Sequence, residues 1–435
     1  MRINPSIRDN VSLSYQIPLR IIAFITFISA SPVINQAFAA DTPDDGTSTH
    51  SPAKRAGKAL SYRIATTDRR SYNYDARPEI QGYAQLVAER YRVALDAGLG
   101  LKAAIDALLA EPGEATLTRA RDSWINARRS YEETEAFRFY DGPIDIADTE
   151  TGEPGPLERL DGWPVDPAAI DYVEDNPTAG IVNDMKVALT RRTLLDREAA
   201  EGQGHAVTTG WHAIEFLLWG QETGAGDPGD RPVSDFVAGQ PNNDRRRAYL
   251  KLVSDMLIDD LHYLVDSWEP SKKPNYGASF KLINQREALG RIMNGIGRLA
   301  GEELATNRLA AALDSRDRKL LTSHFGGMSY EDFVFALRGI RNVWTGDHDE
   351  ETEPGLENLI GRIDPVLAQR ITHALNHAEA AIAALQTPLE RETLPAPQDS
   401  LARENAERAI ADLKKFANLI RDAAAKLGVA VYLPS

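Results

Sequence analysis

Residues 210–215 read Gly-Trp-His-Ala-Ile-Glu, and the residue types best suited to chemistry in this chain are His212 and Glu215. In a helix, residues three apart leave the same face one turn apart. Every other side chain from Trp211 to Trp219 is apolar, so this helix is hydrophobic all round and belongs in a core. An imidazole and a carboxylate buried together must be hydrogen-bonded, ion-paired or bound to a metal. A self-contained His–Glu pair meets that demand, and so does chelation of a divalent or ferric ion. Two ligands do not fill a coordination sphere, so a metal here needs donors from another helix, as in carboxylate-bridged bundles. The metallopeptidase motif HExxH is absent, and Phe216 stands where an inverted HxxEH site places its second histidine.

A second stripe carries charge and aromatic rings together. Trp124, Arg128, Tyr131, Glu135 and Arg138 fall at i, i+4, i+7, i+11 and i+14 of a helix expected over residues 114–140. Most such stripes are solvated faces laced with salt bridges. Here the interleaved rings, and the acid-bearing turn Asp141-Gly142-Pro143-Ile144-Asp145 that follows, suggest the wall of a cleft facing His212. Glu135 and Tyr131 are expected to approach His212, with Arg128 or Arg138 neutralising a carboxylate. Asp141 or Asp145 is expected to complete any metal shell. Among the remaining histidines, His373 and His377 alone have ligand spacing, on an Ala-rich amphipathic helix where surface exposure is the simpler expectation. In Ser329–Gly346, Phe333, Leu337, Ile340 and Trp344 form a core stripe and leave Arg338, Arg341 and Asn342 to another face.

Long helices must position these groups. Ala/Leu/Arg/Glu-rich runs punctuated by Gly or Pro predict helices over 79–110, 114–140, 178–197, 205–219, 243–268, 281–304, 330–344, 364–385 and 400–426. No alternating strand pattern stands out, so the fold class is all-α with bundle packing. Two long loops, 141–177 and 221–242, interrupt the helices, and the second is the natural domain boundary. The echo of AAIDAL at 103–108 in AAIAAL at 380–385 hints weakly at duplication.

Arg2, Arg8 and Arg20, the apolar stretch Ile21–Ile28 and Ala37-Phe38-Ala39 make an export leader with cleavage expected after Ala39. The stretch is too short to span a bilayer, which needs about 20 residues. The chain contains no cysteine, which removes disulfides, thiolate metal sites and cysteine catalysis. Export without disulfides suits the periplasm or cell envelope of a Gram-negative bacterium. The formal charge of −15 becomes −17 when the leader's three arginines and one aspartate are lost. Such a surface disfavours nucleic acid and anionic membranes. Residues 40–77, rich in Ser, Thr, Asp, Pro and Arg, read as a loosely attached arm. A first bundle is expected over 78–230 and a second over 240–435.

Several segments together resemble the imelysin family of exported bacterial proteins, also called iron-regulated protein A-like. They are Trp124–Asp145, Leu160–Val173, Thr208–Gln221, Leu299–Ser315 and Ala336–Gly346, in order along most of the mature chain. The resemblance implies two similar helical-bundle domains, probable products of duplication, with a shared cleft. It also implies a G-x-H-x-x-E signature, met by Gly210, His212 and Glu215. One departure is local: relatives carry an acidic run and Ser-Asp-Asn near Ser323-His324-Phe325, where this chain has Arg318-Lys319-Leu320-Leu321 before and Gly326-Gly327-Met328 after. The family name implies a peptidase, while its iron-uptake settings imply a protein that binds iron, another divalent cation or a small iron-related ligand, together with envelope iron-uptake components. A haem- or siderophore-binding helper, with His212 as an axial ligand, is a third reading. The residue inventory favours binding over peptide cleavage.

Overall fold

Pro78 at the start of the first long helix fixes a helical φ where no backbone donor is needed, and the helix runs as α1, Arg77–Ala110. It buries Ile80, Val87, Tyr91, Leu101, Ile105 and Leu108 along one side. A computed structural model describes residues 74–433 except 149, 202–207, 225 and 349–350. The leader, its cleavage site and nearly all of the arm expected over 40–77 lie outside the described residues.

The other main elements are α2 (Glu114–Glu132), the short α3 (Leu157–Asp161), α4 (Gly210–Trp219), α5 (Pro241–Trp268), α6 (Gln285–Arg298), α7 (Ser329–Thr345), α8 (Pro365–Ala383) and α9 (Leu401–Leu427). Their ends follow local chemistry. Asp364 and Ser400 accept from Leu367 N–H and Arg403 N–H to cap α8 and α9. Two-residue to three-residue strands form two small antiparallel hairpins, at 146–154 and 347–352. The all-α class therefore holds. α5, placed by sequence in the second half, lies along α1 and α4.

Three expected helices are corrected. The run 114–140 stops at Glu132, because Thr134 Oγ1 donates to Tyr131 O at 2.7 Å and closes the turn. Glu135–Phe137 is a single 3₁₀ turn, and Arg138 is extended. The run 178–197 breaks into Gly180–Asn183 and Arg191–Glu201, where Asp184 Oδ1 takes Lys186 N–H into a turn. The run 281–304 starts at Gln285, capped by Asn284, and continues beyond α6 as a π-helical stretch, Leu299–Ala310. Wide π turns bring residues five apart onto one face. Arg308 Nε accordingly donates to Glu303 Oε1 at 3.4 Å.

Candidate functional site

The site is built where α2, α3, α4, the π-helical stretch and the start of α7 meet. Trp211, Ile214 and Leu218 of α4 are fully buried, as its all-apolar sequence requires. Gly210 opens the helix at φ +75, and a Cβ there would stand 2.2 Å from Leu160 O. Glycine at this position is therefore what lets α4 seat against α3. Trp124 Nε1 donates to Trp211 O at 3.0 Å, and the Tyr131 ring lies 5.3 Å from the Trp211 ring. The α2 stripe does face the signature helix.

Arg128 is the hub. Its guanidinium contacts Asp161 through Nη1, Glu132 through Nη2 and Asp332 Oδ1 through Nε at 3.4 Å. His212 meets two carboxylates. Its Nδ1 is 3.2 Å from Glu215 Oε2, and its Nε2 is 3.2 Å from Asp161 Oδ1, near enough for an ion pair but off the line of a hydrogen bond. Glu215 Oε1 accepts Gly326 N–H at 2.7 Å. Asp332 Oδ2 accepts the hydroxyls of Thr322 and Ser323, the latter at 2.7 Å. Arg308 donates to Glu135 Oε2 at 3.0 Å and lies 3.8 Å from Glu132 Oε2. No side chain of Arg128, Glu132, Glu135, Asp161, His212, Glu215, Arg308 or Asp332 is more than 2% exposed.

Burial makes the network's protons interdependent. Against the cost of burial, Arg128 and His212 hold Asp161 well below the usual carboxylate range. Burial opposes a charge on His212 too, yet Asp161 and Glu215 push its affinity for a proton above the ordinary imidazole value. Burial, with Asp332 and Glu135 nearby, drives Glu132 well up despite Arg128. His324 moves down, chiefly through burial.

The expected residues divide. Gly210, His212, Glu215, Trp124, Arg128 and Tyr131 converge. Glu135 instead takes Arg138 Nη1 at 2.6 Å and Arg308, so it serves the neighbouring lobe of the network rather than His212. Asp145 accepts Tyr140 and Gly142 N–H within its own turn, and Asp141 is exposed. Sequence reasoning missed Glu132, Asp161, Arg308 and Asp332. Glu132, Asp161 and Arg308 lie inside the segments that carried the family resemblance, which was the available signal. The divergent region also finds a role: Thr322 and Ser323 hold Asp332, and Gly326 holds Glu215.

Several atoms here lack a well-angled partner: both oxygens of Glu132, Glu135 Oε1, Tyr131 OH, His212 Nε2, Arg128 Nη2 and Arg308 Nη1. Imidazole and carboxylate donors suit a ferric or divalent ion in kind. In arrangement, no three His, Asp or Glu side chains converge on one point among the described residues.

The family profile described as Imelysin, a peptidase family, matches residues 87–420. The chain is 25% identical over 342 residues to "Iron-regulated protein A" of Synechococcus elongatus, covering 76% of this chain and 82% of that one. It is similar in fold to a crystal structure described as an iron-regulated protein A precursor from Parabacteroides distasonis, with TM-score 0.61 and 21% identity, over 83% of this chain and 97% of the other. An imelysin-like protein from Psychrobacter arcticum gives TM-score 0.58 and 16% identity, over 83% and 99%.

Proposed function

Because the chain belongs to the imelysin family, we propose that it is an exported binding protein of the bacterial envelope that takes iron, another divalent cation or a small iron-related ligand at the His212–Glu215 network, releasing protons as it does so. The carrying observation is the excess of buried acids over fixed cations, where Glu135 Oε1 and Tyr131 OH lack hydrogen bonds and Glu132, His212 Nε2, Arg128 Nη2 and Arg308 Nη1 are held only by poorly angled ion pairs. Among the described residues, Asp161, Asp332, Glu132, Glu135 and Glu303 are ion-paired with Arg128, Arg138 and Arg308, and Glu215 with His212, with His324 close by. Such an excess is neutralised by protons, as the upward drift of Glu132 and His212 indicates, or by a cation. His212 and Glu215 are the residues that would supply its first two donors.

Peptide cleavage is less well supported. A catalytic metal needs an open position and a water, whereas both nitrogens of His212 face carboxylates in a sealed core. A haem slot is likewise filled, since Trp211, Phe216 and Leu217 pack fully around the signature. Export draws support from the leader pattern, and no helix among the described residues is long and apolar enough to cross a membrane.

Metal analysis and calorimetric titration with iron salts, run in buffers of different ionisation enthalpy, test this reading. The mature protein should bind stoichiometrically with proton release. The His212→Ala, Glu215→Ala double variant should lose binding. Undiminished binding in that variant, provided it melts cooperatively, would sink the assignment.

A further inference from the structure

Far from this core, α8 and α9 pack against each other and leave a groove of about 590 Å³ on their outer side. Ala374, Ala411 and Leu419 line it, of which Ala374 and Leu419 are buried. Its walls carry Arg370, His373 and His377 from α8, and Lys414, Lys415, Asn418 and Asp422 from α9. Arg370, His373, His377, Lys414 and Lys415 are all exposed. The i, i+4 histidine pair noted in the sequence is therefore on the surface, but it does not stand alone.

Three observations give the groove a direction. First, none of Arg370, Lys414 and Lys415 is ion-paired among the described residues, although the chain carries 64 acidic side chains and most of its buried or half-buried arginines are paired. Second, Asp422 is the only acid lining the groove, so the local field is positive on a protein of net charge −15. Third, Arg370 to His377 spans seven residues, about 10 Å along the helix axis. The Arg370 fork and two lysine ammonium groups, with imidazole groups along that length, match two or three linked anionic groups rather than one. The same cations repel a metal ion from the histidine pair.

We propose that the α8–α9 groove binds a small, soluble, multivalent oxyanion, a polyphosphate or polycarboxylate. Arg370 supplies a planar fork, Lys414 and Lys415 supply mobile point charges, and His373, His377 and Asn418 add further polar groups.

Calorimetric titration of the mature protein with sodium pyrophosphate and with sodium citrate, at low ionic strength, tests this. At least one should bind at a single site. The Lys414→Ala, Lys415→Ala variant and the Arg370→Ala variant should each weaken it about tenfold or more. A charge-matched control, Lys273→Ala with Lys319→Ala on other exposed surface, should leave affinity within about twofold. All these positions are exposed, so the variants should melt as the parent does. Failure of both anions to bind overturns the proposal, and so does equal weakening in the control. Capture by phosphatidylglycerol vesicles that pyrophosphate does not displace would also overturn it, by making the groove a membrane contact.

Discussion

Two clusters of buried charge hold this protein together, and they differ in how fully they are closed. Around Asp171, Arg246 donates to Oδ2 at 2.5 Å and Oδ1 at 3.1 Å, Arg231 to Oδ2 at 3.0 Å, Asn183 to Oδ1 at 3.2 Å and Tyr172 N–H to Oδ1 at 2.8 Å. Only Arg231 Nε and Asn183 Oδ1 lack partners there. Around Arg128 and His212, seven side-chain atoms lack a well-angled hydrogen bond, although Arg128 Nη2, Arg308 Nη1, His212 Nε2 and the Glu132 oxygens lie within ion-pair reach of one another or of Asp161. Burial is alike in both, so burial alone does not mark a functional site. What separates them is satisfaction: one cluster is a clamp, the other is waiting for protons, water or a ligand.

The sharpest way to break the comparison is to remove the centre of the clamp. Asp171→Ala leaves Arg231 and Arg246 buried without their shared carboxylate and should cost about 3–5 kcal/mol in denaturant unfolding. A loss below 1 kcal/mol would show that the clamp is not structural.

Glu390 lies at the edge of the open cluster, buried in the π-helical turn Leu389–Thr393 beside Ser329. Burial, assisted by the field of Glu215, raises its carboxyl to about 7. A carboxyl raised on folding loses its contribution as pH climbs above the unfolded value of about 4.3 through the folded one. Glu390→Gln should therefore stabilise the protein at pH 8 by on the order of 3 kcal/mol and do little at pH 4. Equal effects at both pH values would show that Glu390 is charged throughout.

The smallest effect is expected at Glu132. Its carboxyl is already driven toward the neutral form, and an amide copies that form in shape, so Glu132→Gln should shift stability by less than about 1 kcal/mol. The same change should weaken cation binding. A loss comparable to that of Asp171→Ala would place both clusters in one class.

Much of this was legible beforehand because it is local. The apolar ring around His212 and Glu215 announced a buried helix, and Phe333, Leu337, Ile340 and Trp344 lie on the core face as their spacing required. Arg128, Trp124 and Tyr131 share a face because three and four residues make a turn. Asp161, Arg308 and Asp332 were not legible in the same way, since each comes from a separate element and meets Arg128 or Glu132 only after packing. Glu135 and Arg138 were misplaced because Thr134 ends the helix by a side-chain bond that periodicity does not register.

The π-helical stretch also sets how the chain can tolerate changes in length. Deleting one residue within 299–310 would let a wide turn relax to an ordinary α turn, which holds about one residue fewer, so the flanking faces would stay in register. Inserting one residue there instead cannot be absorbed by turns that are already wide, and would rotate everything after it by roughly 100° relative to everything before it. Ile292 and Ile296 could then stay in the core, or Arg308 could stay on Glu135, but not both. Such an insertion should leave helical content by circular dichroism nearly unchanged while abolishing ligand binding, so the length of this segment is a coded quantity, as specific as any side chain it carries.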